Sequence, residues 1–185
     1  MCTLNLIVDM QNAYLPNQPW ECPNIMEVIP NIELLCQQAS NSDSSNSIVF
    51  TRYIASTNPV GTWKYYNQKY YDINSSKYLN EIIEALKPYT KKYPVYDKST
   101  YSCYADNTLK SIIDQYDTIS ICGVVADCCI LSTMLSLIDT GKQIVYLNDA
   151  IGEYGRGSKQ AVDNIVKNMS IHVKSLSVKE YLNTI

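Results

Sequence analysis

Three residues in this chain stand where short apolar runs end and carry groups able to do covalent chemistry together: Asp9, Lys98 and Cys129. The run from Ile119 to Gly123 gives way to a short turn, and an apolar helical pattern starts near Asp127 to Cys129. A cysteine at the mouth of a helix sits by unpaired N–H groups carrying partial positive charge. That setting stabilises a thiolate and pulls the thiol pKa below about 8.5. Cys129 would attack an electrophilic carbon. Asp9 would take the thiol proton and later deliver it to a leaving amine. Burial would raise the pKa of Asp9, while the helix end and Lys98 lower that of the thiol. Backbone N–H groups of Val125 and Cys129 would hold the oxyanion of a tetrahedral intermediate. Cys128 is the obvious rival nucleophile. A helix turns about 100° per residue, so the two cysteines are not expected to face one site. On its own, Cys129 would equally suit a small buried core residue.

The elements that must bring these groups together can be read from periodicity. Candidate strands are Leu4 to Val8, Ile48 to Arg52, Tyr93 to Tyr96, Thr118 to Cys122, Gln143 to Leu147 and Ser170 to Val173. Candidate helices are Ile29 to Ala39, Lys77 to Leu86 (which Pro88 helps to end), Asn107 to Tyr116, Cys129 to Thr140, Ser158 to Asn168 and Val178 to Leu182. The Cys129 helix is apolar nearly all round and so expected to be buried. Gly141 falls where a C-cap glycine belongs. Ser40 to Ser47 and the tyrosine-rich stretch from Tyr53 to Ser76 read as loops, the second with short helical pieces. Alternation of strand and helix predicts an α/β three-layer sandwich, with a central, mostly parallel sheet of about six strands and helices on both faces. In such a sheet ligands bind beyond the carboxyl ends of the strands. Asp9, Lys98 and the turn before Cys129 all fall at that edge.

Composition narrows the field. The 185 residues read as one domain, 1–185, with 46% hydrophobic and 18% charged residues. The net charge is -3 and Lys91-Lys92 is the only adjacent basic pair, so nucleic acid is not an expected ligand. No apolar run is long enough for a membrane span. No signal peptide is readable, and seven cysteines without CxxC spacing imply free thiols and a cytoplasmic location. A single histidine, His172, rules out a zinc site built from several histidines. It falls in an apolar run and reads as structural. Gly152 to Gly157 resembles a glycine-rich phosphate loop, but it does not directly join a strand to a helix in the way that chemistry needs and reads as a plain loop.

Three segments in order resemble the isochorismatase-like cysteine hydrolases, whose members include nicotinamidases, N-carbamoyl amide hydrolases and ureidoacrylate hydrolases. They are Ile7-Val-Asp-Met-Gln-Asn-Ala-Tyr14, Lys98-Ser-Thr-Tyr-Ser-Cys-Tyr104 and Gly123-Val-Val-Ala-Asp-Cys-Cys-Ile130, with Asp149-Ala150 matching a downstream Asp-Ala. The resemblance implies a Rossmann-like fold, an Asp9-Lys98-Cys129 triad, a cis peptide between Val124 and Val125, and a homo-oligomer, a dimer or larger. Its register selects Cys129 over Cys128, leaving Cys128 to packing. Where nicotinamidases carry an Asp-x-His metal motif, this chain reads Thr51-Arg-Tyr-Ile-Ala, so no metal and no cofactor is expected. Ala126 replaces the usual Thr. A retained cysteine points to carbon–nitrogen bond cleavage in a small amide, ureide or carbamoyl substrate. Tyr14, Trp63 and Tyr101 are candidates for the pocket wall, and Arg52 for a substrate carboxylate or, equally, a surface ion pair. Two other readings stand beside the hydrolase. One is a non-catalytic binding or regulatory module on the same scaffold. The other is a thiol redox protein using Cys128 and Cys129. Residues setting the substrate are expected in Pro16 to Asn24 and Tyr53 to Ser76.

Overall fold

The structure, a computed structural model, describes residues 3–41 and 47–184. Its centre is a sheet of six parallel strands: β1 (Thr3–Val8), β2 (Ser47–Tyr53), β3 (Val95–Lys98), β4 (Thr118–Gly123), β5 (Gln143–Ile151) and β6 (Val173–Leu176), in the order β3-β2-β1-β4-β5-β6. Strands buried on both faces read as nearly continuous apolar runs, and the buried polar pair here is satisfied internally, the Ser120 hydroxyl donating to the Asn5 side chain at 2.6 Å. In β1, all six residues are buried, as are Ile119 through Gly123 of β4. Strand order reverses at β1 and β4, whose carboxyl ends lie side by side with Val8 opposite Gly123. That is the switch point at which α/β sheets bind ligands. Asp9 and the turn leading to Cys129 leave the sheet there.

Helices cover the sheet: α1 (Ile25–Asn41), α6 (Asn107–Ile113), α7 (Leu131–Ile138), α8 (Ser158–Asn168) and α9 (Val178–Leu182), with short α2 (Trp63–Lys69), α3 (Tyr71–Ser75), α4 (Lys77–Asn80) and α5 (Lys87–Thr90). Helix α1 begins earlier than its periodicity implied and runs through Pro30, burying Val28, Ile32, Leu35 and Cys36 against the sheet. Most of the expected Ser40 to Ser47 loop lies outside the described residues. Helix α9 starts with a capping box, in which Ser177 and Glu180 satisfy each other's backbone N–H groups. Gly141, at φ 82°, follows α7 as expected.

Several expectations need correction. The single helix over Lys77 to Leu86 is broken. After α4, Ile82 forms an antiparallel bridge with Gln11, Glu84–Leu86 makes a 3-10 turn, and Pro88 opens α5 rather than closing a helix. Proline suits that place because the N–H it lacks would have no intrahelical acceptor. The last strand is β6, later than Ser170 to Val173, and His172 sits exposed in the turn before it. Its carbonyl accepts from the Ile144 N–H, at the sheet end opposite Asp9. Helix α7 buries Thr133, Met134 and Leu137 on one side only; Leu135 is exposed. The glycine-rich loop does join β5 to α8. The Glu153 carboxylate accepts from the N–H groups of Gly157 and Lys159, filling the helix mouth a phosphate would use.

Candidate active site

The tightest constraint is at Gly123, the last residue of β4. Its φ is 110°, and a Cβ there would lie 2.1 Å from the Val8 carbonyl oxygen. Only glycine lets the two central strands approach this closely. The Val124 N–H then donates to the Val8 carbonyl at 2.9 Å, the Val124–Val125 peptide is cis, and the chain enters a wide turn over Ala126–Ile130. The end of β5 clamps the turn. The Gly152 N–H donates to the Gly123 carbonyl, and the Ala126 N–H to the Gly152 carbonyl, both at 2.9 Å. A Cβ on Gly152 would collide with Val124 at 2.6 Å.

Asp9 follows β1 at φ 52°, a left-handed conformation that non-glycine residues adopt seldom and mostly as Asn or Asp. This bend turns the carboxylate into the space beyond the strand ends. One oxygen accepts from the Thr51 hydroxyl at 2.7 Å; the other accepts from the Lys98 ammonium at 2.6 Å. The Thr51 hydroxyl also accepts from the Asp9 N–H at 3.2 Å, so this one side chain holds both backbone and carboxylate of Asp9. Lys98 comes from β3, two strands away, and reaches beneath the site. Its ammonium also donates to the Thr100 carbonyl at 2.9 Å and lies 3.5 Å from the Cys129 sulfur. Both charged side chains are fully buried. The three expected residues therefore meet around one ammonium group.

Burial works against the Lys98 charge, but Asp9, Cys129 and Cys103 outweigh it and hold its pKa above the ordinary lysine value. For Cys129 the balance runs opposite to the expectation. Burial pushes the thiol well above its ordinary value; the Lys98 ammonium opposes this, and Asp9, accepting the thiol's hydrogen bond, adds to the rise. Thus the resting site holds a neutral thiol whose proton faces a carboxylate. Alkylation of Cys129, followed by peptide mass spectrometry, should be slow at pH 7. It should still be climbing above pH 9, with no plateau between; a plateau below pH 8 would show a resting thiolate.

A cavity of about 180 Å³ has Cys129 among its lining residues. Tyr14 and Tyr101 line it, as expected. Trp63 stands behind them, its ring 5.0 Å from that of Tyr101, and lines a neighbouring depression with Lys69. Arg52 is elsewhere: it forms a two-point ion pair with Asp97 at 2.7 and 2.9 Å on the surface and is not among the lining residues. Cys128, expected only to pack, also lines the cavity and is half-buried. The Cys128 and Ile130 N–H groups both donate to the Val125 carbonyl at 3.2 Å, a turn wider than α at its second bond, and the cavity extends far enough round it to meet both cysteines. Trp20, Tyr53, Tyr66, Tyr70 and Asp127 complete most of the wall and carried no signal of their own in the sequence. Gln11 fixes one of them. Its amide accepts from the Tyr53 N–H at 2.7 Å and donates to the Tyr53 and Asn80 carbonyls, tying the wall to α4.

Among the described residues no group of three or more His, Cys, Asp or Glu side chains is placed to hold a metal ion. Where the resembling nicotinamidases have their metal motif, Arg52 is paired with Asp97 and Tyr53 is buried. That donor set does not fit a metal. Among the described residues no helix is long and apolar enough to cross a membrane.

The isochorismatase-domain profile matches residues 3–175. No curated protein sequence matches. Among solved structures, the fold is similar to an isochorismatase-like hydrolase from Alkaliphilus metalliredigens, at TM-score 0.81 and 18% identity, covering 100% of this chain and 99% of that one. It is also similar to a cysteine hydrolase from Pseudomonas syringae pv. phaseolicola, at TM-score 0.83 and 18% identity, covering 98% and 91%. A pyrazinamidase/nicotinamidase from Streptococcus mutans aligns at TM-score 0.74 and 17% identity, covering 94% and 99%.

Proposed function

The chain belongs to the isochorismatase family, and from that premise we propose that it is a metal-independent cysteine hydrolase cleaving a carbon–nitrogen bond in a small amide, ureide or carbamoyl compound. The observation that carries this reading is the buried contact of Lys98 with both Asp9, at 2.6 Å, and the Cys129 sulfur, at 3.5 Å, beside a cavity that Cys129 lines. A core cysteine has no need of a buried ion pair, which costs desolvation energy to maintain.

In the proposed reaction the Cys129 sulfur adds to the substrate carbonyl as its proton passes to Asp9. Lys98 stabilises negative charge on whichever partner holds it, so the inner group stays neutral overall. The Val125 N–H and the Cys129 N–H receive the oxyanion. The Cys129 N–H lies in the first turn after the strand end, between the Cys128 and Ile130 N–H groups that both donate to the Val125 carbonyl. Asp9 then delivers its proton to the departing nitrogen, leaving a thioester on Cys129. Water, deprotonated by Asp9, hydrolyses that thioester and restores the thiol. Tyr14 and Tyr101 hold the substrate from the sides. The protein acts as a homo-oligomer in this reading, in a cytoplasmic setting that keeps its thiols reduced.

Quenching the wild-type protein in acid after mixing with a panel of small amides and ureides tests the reading. Intact mass should rise by the acyl group, and digestion should place the increment on Cys129. An increment on Cys128, or turnover without any adduct on either cysteine, would sink the thioester route. Binding without turnover across the panel would instead favour a regulatory module on this scaffold.

A further inference from the structure

The cavity wall is unusual in what it offers a ligand. Trp20 packs edge-on against Tyr70 at 5.5 Å and tilted against Tyr14 at 5.7 Å, and Tyr66 lies 4.7 Å from Tyr70. These rings and Tyr53 line the same space. The Tyr53 hydroxyl donates to the Asn67 side chain at 3.1 Å, and the Tyr66 hydroxyl is hydrogen-bonded with Tyr101. Those hydroxyls are engaged with protein, so what they leave for a ligand is ring surface. The face of an aromatic ring is negative and attracts cations. This wall already does so from within: the Lys98 ammonium lies 5.8 Å over the Tyr53 ring.

The charges point the same way. Asp127 is the one charged residue among those lining the cavity, and it is exposed at the mouth. Arg52, the nearest expected anchor for a carboxylate, is occupied by Asp97. Lys69 lies 5.1 Å over Tyr70 but lines the neighbouring depression, not this cavity. Lys98 is cancelled by Asp9 at 2.6 Å. A bound anion would therefore lose its water and face Asp127 with no free cation in the wall. Desolvating an unpaired charge is costly.

We infer that the substrate is a small amide whose far end carries a permanent positive charge, a quaternary ammonium or N-alkylpyridinium group held between the Trp20, Tyr66 and Tyr70 rings and Asp127. The amide end lies at Cys129, so the inference rests on the hydrolase reading for its chemistry but not for its selectivity. In this arrangement the ring box sorts ligands by charge before Cys129 acts on them.

The test uses two amides of nearly equal shape, trimethylammonioacetamide and 3,3-dimethylbutanamide, with succinamate as the anion. Binding is measured by calorimetry on the Cys129→Ala protein at one fixed ionic strength, so that turnover plays no part. The cation should bind about tenfold more tightly than its neutral isostere, with the anion weakest. Adding Asp127→Asn, an exposed change, should cut the cation-to-neutral ratio about threefold. Equal binding of the isosteres, preference for the anion, or no binding of the cation would overturn the inference, even if the wild-type protein hydrolyses other amides. A retained cation preference with no acyl adduct on wild-type Cys129 would support it while ending the hydrolase reading.

Discussion

Changing Cys129 to alanine lowers turnover by a factor on the order of 10⁴ or more, while the melting temperature moves by no more than about 2 °C. The two halves of this result have separate causes. The sulfur is the only atom through which a substrate carbon can be bonded in the proposed route, so no neighbouring group can stand in for it. Removing it costs little packing, because the side chain already borders a cavity. It also leaves Asp9 bonded to Thr51 and Lys98, so no buried charge is orphaned. Cys128→Ala is the matched control. It widens the same cavity from the rim and should keep turnover within about tenfold of wild type, since the Cys128 side chain touches neither Asp9 nor Lys98 in the proposed chemistry. Ammonia release from a primary amide, followed by a coupled assay, with thermal melts on the same samples, measures both. Full activity in Cys129→Ala with loss in Cys128→Ala would assign the chemistry to the wrong sulfur.

Lys98→Met should fail differently, losing activity and stability together. The substitution leaves the Asp9 carboxylate buried with only Thr51 for company, and breaking a buried ion pair from one side costs about 3–5 kcal/mol. For a protein of this length that is a fall in melting temperature of roughly 6–20 °C. Asp9→Asn leaves the ammonium stranded in the same way. Combining the two should recover most of the stability, because neither charge then needs a partner, yet activity should stay absent. That non-additivity is measured by a double-mutant cycle in thermal or urea unfolding. If the double variant is as unstable as the sum of the singles, the pair supports the fold through contacts other than its charge. If it is active, Asp9 is not the proton carrier.

Much of the site is legible in the sequence because its parts lie at strand ends, and strand ends are what apolar periodicity marks best. Asp9 closes the run from Leu4, and Gly123 closes the run from Ile119. The reactive groups had only to be placed at one edge of a parallel sheet. The ring wall was not legible, because it is assembled from residues with no shared period. Trp20 comes from the irregular chain before α1, Tyr53 from the end of β2, and Tyr66 and Tyr70 from α2 and the residue after it. The sequence located those segments as the ones that must choose a substrate, yet among sixteen tyrosines nothing marked these. Thr51 was hidden for another reason. Its role depends on a hydroxyl facing a residue 42 positions away, which only strand pairing reveals. Cys128 was set aside because residue spacing alone does not say how far a cavity extends round a helix, and the thiol was misjudged by weighing the helix mouth and Lys98 without the burial that outweighs them.

The lysine at the centre of all this is carried by β3, a strand of four residues bonded to the sheet along one side only. Asp9 and Cys129 spring from the middle of the sheet, where opening requires the whole domain to come apart. Lys98 springs from its margin, where ladders open most readily. The proposed catalytic unit therefore has a half at the centre of the sheet and a half at its edge. Detachment of that one short edge would silence the proposed reaction while the core stays folded, so activity would report the integrity of the sheet's border.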